Sequence, residues 1–221
     1  MDFITNFPFI SIVISLISSA VSAVLKHKAA RILSFVSTSV AICLSAATLF
    51  LTVSTGKTYT YMMGHFSAPW GNEIRFGQLE AFLAMMFCIV LLLSVRGGMK
   101  HLYDDNDEEK LNYYFALINL LQSALLALIY TNDIFTGYVF IEICTLSSAG
   151  ILMIRQVGRT TVAAVRYMIF NLLGSGLFLI GIILLYDITG HLLMPNMQSA
   201  VAQLVTEGQY IVPLTKKNLA I

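Results

Sequence analysis

The chain has 221 residues, of which 57% are hydrophobic and 11% charged, and its formal net charge is +1. A soluble domain carries roughly 25% charged residues, so this composition excludes an ordinary soluble globule and reads as a polytopic membrane protein. A balance so close to neutral also leaves no electrostatic footprint for a nucleic acid.

Met1-Asp2 precedes the first apolar run, and Lys26, Lys28 and Arg31 follow it. A cleavable signal has the opposite order, so the first span is expected to stay in the protein. A spanning helix needs roughly 20 mostly apolar residues, and six such stretches occur, at about 4–25, 32–54, 78–95, 111–131, 134–154 and 162–186. The expected fold is an all-α membrane protein of six transmembrane helices. Nine of the 13 Lys and Arg residues fall on one side of these spans: Lys26, Lys28, Arg31, Arg96, Lys100, Lys110, Arg155, Arg159 and Arg166. Lys57, Arg75, Lys216 and Lys217 fall on the other. Basic residues favour the cytoplasm, so both termini are expected outside. The acidic run from Asp104 to Glu109 reads as a solvated loop or a helix start before Lys110, with a partner-binding surface as the other reading.

Between spans two and three, Thr58-Tyr59-Thr60-Tyr61 and Glu73-Ile74-Arg75-Phe76 alternate like strands. The turn cluster Ala68-Pro69-Trp70-Gly71-Asn72 separates them. A short outer β-hairpin is therefore expected within about 55–77, with Trp70 and the tyrosines at headgroup level. The third span starts near Gln78 and Glu80, is the shortest, and is expected to end before Arg96-Gly97-Gly98.

On the fourth span, Asn119 and Gln122 are polar groups able to bridge helices, and Asn119 is a candidate contact for a buried water chain. Asp133 opens the fifth span beside Asn132. Asp suits an N-cap, and a place at the outer mouth of an ion pathway is its alternative role. Glu142 follows nine residues later. At about 1.5 Å per residue it lies roughly 13 Å into the span, near the middle of a core about 30 Å thick. A carboxylate there is costly and marks an ion or proton pathway by default. Burial favours its neutral form and a nearby cation its charged form, and a group balanced between the two can relay protons. The competing reading is a structural carboxylate bonded to a neighbouring helix. Thr145, Ser147 and Ser148 are further polar groups on the same span.

Arg166 lies near the start of the sixth span. It either snorkels to the interface or modulates a carboxylate in a pathway, since arginine keeps its proton. Asn171, Gly174, Ser175, Gly176 and Gly181 allow close helix approach. The tail from 189 to 221 has no span, and Met197–Val205 is expected to form an amphipathic helix on the outer surface. The chain thus divides into a six-helix membrane domain, about 1–188, and an extracytoplasmic tail, 189–221.

Cys43, Cys88 and Cys144 lie in apolar spans without paired spacing, which fits neither a disulfide framework nor a metal site. His27, His65, His101 and His191 are all expected in loops outside the six spans, so no histidine pair is expected to sandwich a membrane haem. No Gly-rich phosphate loop occurs. No cofactor, metal or catalytic centre is expected in this chain.

Three stretches carry a resemblance. They are Gly64-His-Phe-Ser-Ala-Pro-Trp-Gly-Asn-Glu-Ile-Arg75, Asn132-Asp-Ile-Phe-Thr-Gly-Tyr-Val-Phe-Ile-Glu142, and Arg166-Tyr-Met-Ile-Phe-Asn-Leu-Leu-Gly-Ser-Gly-Leu-Phe-Leu-Ile-Gly181 with its continuation to Gly190. Their order and spacing resemble the N-terminal half of the antiporter-like subunits shared by Mrp cation/proton antiporters, membrane-bound hydrogenases and respiratory complex I. The D-type Mrp subunit is nearest in pattern. In those subunits the fifth-helix glutamate, matched by Glu142, pairs with a lysine on the seventh helix. Arg166 stands where many relatives carry a sixth-helix lysine, and Gly77-Gln78 replaces an aspartate that often opens the third helix.

The resemblance implies a proton- or sodium-translocating subunit of an antiporter or oxidoreductase complex in a prokaryotic plasma membrane, with other membrane subunits and lipid as partners. The residues here stop about where a seventh helix would begin, so the expected counter-charge of Glu142 comes from another polypeptide. The alternative is a scaffold subunit that does not transport.

Overall fold

The computed structural model describes residues 4–62, 73–105, 108–155 and 157–206. The expected turn with His65 and Trp70, the centre of the acidic run at Asn106-Asp107, and the tail with Pro213, Lys216 and Lys217 lie outside the described residues.

A 3₁₀ turn at Ile4–Asn6 leads into α1 (Phe7–Val24), with Pro8 in its first turn, where a missing N–H costs nothing. α2 follows at His27–Thr55. It ends at Gly56, whose φ of 64° needs a residue without a Cβ and whose N–H bonds the Thr52 carbonyl at 2.9 Å. Strands β1 (Tyr59–Met62) and β2 (Glu73–Phe76) then pair antiparallel, Tyr59 opposite Phe76 and Met62 opposite Glu73. Next come α3 (Gln78–Asp105), α4 (Glu108–Tyr130), α5 (Ile134–Met153), α6 (Gly158–Thr189) and α7 (Met194–Thr206). Gly190, with φ 69°, ends α6 as Gly56 ends α2. Six of the helices, α1 to α6, are long and apolar enough to cross a membrane.

The third span departs from its expected end. α3 runs through Gly97-Gly98 to Asp105, so His101 lies on it, and His27 opens α2, rather than in the loops expected for both. The 28 residues of α3 measure about 42 Å against a core of about 30 Å. Packing outweighs the weak helix propensity of two glycines, which is about 1 kcal/mol each. Met99, Leu102 and Tyr103 from the extension pack on a buried cluster of Ala30, Val95, Leu111, Phe115 and Ile118. Arg31 also donates from Nη1 to the Tyr103 hydroxyl at 3.3 Å. The sixth span likewise runs longer than expected at both ends and takes in Arg159 and Asp187.

α4 is the centre of the bundle. It packs against α1, α2, α3 and α5 and is the most deeply buried of the six spans. α6 packs on α5 at the periphery and is the least buried of the six. A second apolar cluster closes the sheet end of the bundle, where Ile74, Phe76, Ala84, Cys88, Leu126 and Tyr130 meet. Tyr59 stacks on Phe76 at 5.7 Å, and Phe76 meets Tyr130 edge-on at 6.5 Å.

The interface of α1, α2 and α4 is a polar seam. Ser19 Oγ donates to the Ala116 carbonyl (2.8 Å) and Ser123 Oγ to that of Ile12 (3.1 Å). Asn119 Nδ2 donates to Ser22 Oγ (3.0 Å), and Gln122 Nε2 to Ser15 Oγ (2.9 Å). From α2, Ser34 Oγ donates to the Phe115 carbonyl (3.4 Å), Ser37 Oγ to Asn119 Oδ1 (3.2 Å) and Thr38 Oγ1 to Gln122 Oε1 (2.6 Å). Such groups replace the hydrophobic drive that lipid removes, and small residues let the backbones approach.

Candidate functional site

At the sheet end, β2 and the starts of α5 and α7 are tied together. Asn132 bonds Glu73 twice, from its backbone N–H to the carbonyl (3.0 Å) and from Nδ2 to Oε2 (3.1 Å). The Ile134 N–H bonds the Leu192 carbonyl, and the Met194 N–H bonds that of Asn132. Asp133 is the N-cap of α5, its Oδ1 accepting from the Thr136 N–H at 2.7 Å. These ties fix where α5 begins and therefore how deep Glu142 lies.

Glu142 sits midway along α5 and is half-buried. Its Oε1 is buried and bonds no atom among the described residues. The carboxylate lines a groove of about 290 Å³ between α5 and α6, with Thr145 and Leu146 on one wall and Val165, Met168, Ile169 and Leu172 on the other. The Thr145 hydroxyl donates to the Glu142 backbone carbonyl at 2.8 Å, so its proton is committed away from the carboxylate. Tyr138, one turn earlier, is within interaction range of Glu142. Among the described residues, no basic side chain lines the groove. A carboxylate that lines open volume and keeps one buried oxygen unbonded can exchange a proton, hold water or attract a cation.

The other expected residues are elsewhere. Arg166 is exposed on α6. Asn119 is wholly buried in the α1–α2–α4 seam, bonded to Ser22 and Ser37. Asp133 is at the sheet end, in the cap of α5. Asn171 on α6, which is not among the residues lining the groove, carries a second orphan, since its buried Nδ2 bonds no described atom. In the sequence it reads as one of several small packing residues; the distinguishing signal was a two-donor amide among glycines on an apolar helix. The serine seam also passes unnoticed in the sequence, although Ser11, Ser15, Ser18, Ser19 and Ser22 fall on one face of a helix at steps of three and four.

Comparison with known proteins bears on the segment that holds Glu142. Residues 131–214 match the family described as NADH:quinone oxidoreductase/Mrp antiporter, TM. The D-type Na(+)/H(+) antiporter subunit of Bacillus subtilis (strain 168) is 25% identical over 200 residues, which cover 90% of this chain and 40% of that protein. The N-type NADH-quinone oxidoreductase subunit of Desulforudis audaxviator (strain MP104C) is 29% identical over 152 residues, 69% of this chain and 30% of that one. A component of the Mrp complex from Dietzia sp. DQ12-45-1b shares the fold with a TM-score of 0.78 at 18% identity, over 93% of this chain and 40% of its own length. The chain therefore spans well under half the length of these relatives. Residues 131–214 thus match the membrane family shared by Mrp antiporters and NADH:quinone oxidoreductases, and the chain as a whole is similar to the first part of their antiporter-like subunits.

Proposed function

We propose that this chain is a proton- or sodium-translocating membrane subunit of a multisubunit complex of Mrp, hydrogenase or complex I type, and that Glu142 is its ion-handling residue. The observation that carries this reading is the buried, unbonded Oε1 of Glu142 on a groove open between α5 and α6. An ionised group at that depth is costly without a partner. In this reading, another chain of the complex supplies the opposing cation and completes the pathway. The relative named as a Na(+)/H(+) antiporter subunit supplies the ion class.

The basic-residue distribution orients this reading. Both termini, the two-stranded sheet and α7 are outside, and α1–α6 form the membrane domain of a prokaryotic plasma-membrane complex. Asp133 stands at the outer mouth as a cap, Arg166 meets lipid or a neighbouring subunit, and Asn119 holds the bundle together.

The test is Glu142→Gln in the assembled complex, read as cation/proton exchange in membrane vesicles. Loss of transport with the complex intact is the expected result. Normal transport by that variant would leave the chain a scaffold subunit.

A further inference from the structure

Tyr138 stands one turn before Glu142 on α5, and the two are only about 40° apart around the helix. Helical side chains lean toward the N-terminus, so the Glu142 carboxylate is carried back over the turn that bears the tyrosine. The Tyr138 hydroxyl reaches that carboxylate as a hydrogen-bond partner. Glu142 Oε1 bonds no described atom, which leaves Oε2 as the oxygen the hydroxyl meets.

The tyrosine ring is held from two directions. Its centroid lies 6.1 Å from that of Phe135 on α5 and 6.5 Å from that of Phe178 on α6. The residues lining the groove begin at Glu142 on α5 and end at Leu172 on α6, so the Tyr138–Phe178 contact is the next one toward the sheet end. A phenol oxygen lies on the axis of its own ring, and a ring flip does not displace it. Thr145 is the other polar residue lining the groove, and its proton goes to the Glu142 backbone carbonyl at 2.8 Å. Among the described residues, the donor within reach of the carboxylate is therefore the tyrosine.

We propose that Tyr138 is a positioning residue for ion handling: its hydroxyl donates to one carboxylate oxygen of Glu142 and fixes that group's orientation at the groove, leaving the other oxygen unbonded. This rests on Glu142 being the ion-handling residue. A phenol carries no charge, so it steadies the carboxylate when no cation stands opposite and does not repel the cation when it arrives. The rings of Phe135 and Phe178 serve by keeping the phenol in place.

The test is Tyr138→Phe in the assembled complex, which keeps the ring between Phe135 and Phe178 and removes the hydroxyl alone. Transport in membrane vesicles is expected to fall about tenfold, the worth of a hydrogen bond to a charged group, with the complex intact. A second readout is the infrared C–O band of isotope-labelled tyrosine, which reports whether the hydroxyl donates. The difference between wild type and Tyr138→Phe isolates the Tyr138 band, and Glu142→Leu is expected to move it, a shift that a ring serving packing alone does not show. An unmoved band would overturn the inference whatever the transport result. Wild-type transport by Tyr138→Phe where Glu142→Gln is inactive would overturn this inference and leave the proposed function standing. Normal transport by both variants would overturn the function proposed for Glu142 and this inference with it.

Discussion

Tyr138 on α5 and Phe178 on α6 hold their rings 6.5 Å apart, and this contact sets the register of two consecutive, antiparallel helices. Counting at about 1.5 Å per residue, Glu142 lies roughly 6 Å along from the contact and Arg166 roughly 18 Å. The two charges are therefore about 12 Å apart along the bundle axis. Ala164, Ser175 and Ile182 mark the buried face of α6, and Arg166 is two residues, or about 200°, around from Ala164. Arg166 thus faces away from the helix that carries the carboxylate. Arg166→Gln is expected to leave vesicle transport close to wild type. In a cycle with Glu142→Asp, the coupling should stay below about 0.5 kcal/mol, as for groups more than about 10 Å apart. A loss from Arg166→Gln as large as that from Glu142→Gln would place the arginine in the pathway instead.

The same register puts Asn171 about 10 Å from the Tyr138–Phe178 contact and about 4 Å beyond the level of Glu142. An orphan donor, Asn171 Nδ2, and an orphan acceptor, Glu142 Oε1, therefore occupy neighbouring turns of facing helices. The two are not bonded to each other in the structure; if they close on one another, or through a water, during transport, a hydrogen bond to a charged group is worth about 1.5–3 kcal/mol, or roughly tenfold or more in rate. Asn171→Leu is expected to slow transport by about that factor while thermal stability holds or rises. Unchanged transport would mean that the amide serves packing alone.

Asn119 makes the opposite prediction. Its amide joins Ser22 of α1 to Ser37 of α2 through α4, and both partners lose a bond when it is replaced. Hydrogen bonds between helices in a membrane average about 0.6 kcal/mol and reach about 1.7, so Asn119→Leu should cost about 1–3 kcal/mol. The measurement is Tm in detergent, together with transport per assembled complex. A lower Tm with normal specific transport is expected. Impaired transport at unchanged Tm would assign Asn119 to a water chain.

These contrasts show what the sequence made legible. The six spans follow from hydrophobic length, and the paired strands from alternation around Tyr59–Tyr61 and Glu73–Phe76. The capping role of Asp133 follows from its residue type and place. Glu142 stands out because a carboxylate interrupts an apolar run. Side-chain direction was not legible, since period alone does not say which helix faces which. Whether Arg166 snorkels to the interface or stands beside the carboxylate is therefore open in the sequence, and the α5–α6 register separates it from Glu142. The end of α3 was obscured for a related reason. Gly97-Gly98 is a local stop signal, and the contacts that override it come from α2 and α4, at Ala30, Arg31, Leu111 and Phe115.

That override yields a prediction of definite sign. Gly97 and Gly98 lie inside α3, and a Cβ added at either meets nothing within 4 Å. Neither is a positive-φ glycine, so alanine fits both backbones without strain. Glycine inside a helix costs roughly 0.5–1 kcal/mol relative to alanine, chiefly through the freedom it has when unfolded. Gly97→Ala/Gly98→Ala should therefore stabilise the protein by about 1–2 kcal/mol, seen as a higher Tm. It should also slow hydrogen exchange from Met99 to Tyr103, because the extension then frays less. Destabilisation by the double variant would mean that the glycines permit a bend or a close neighbour at this end of α3, and that the continuous helix is not its working form.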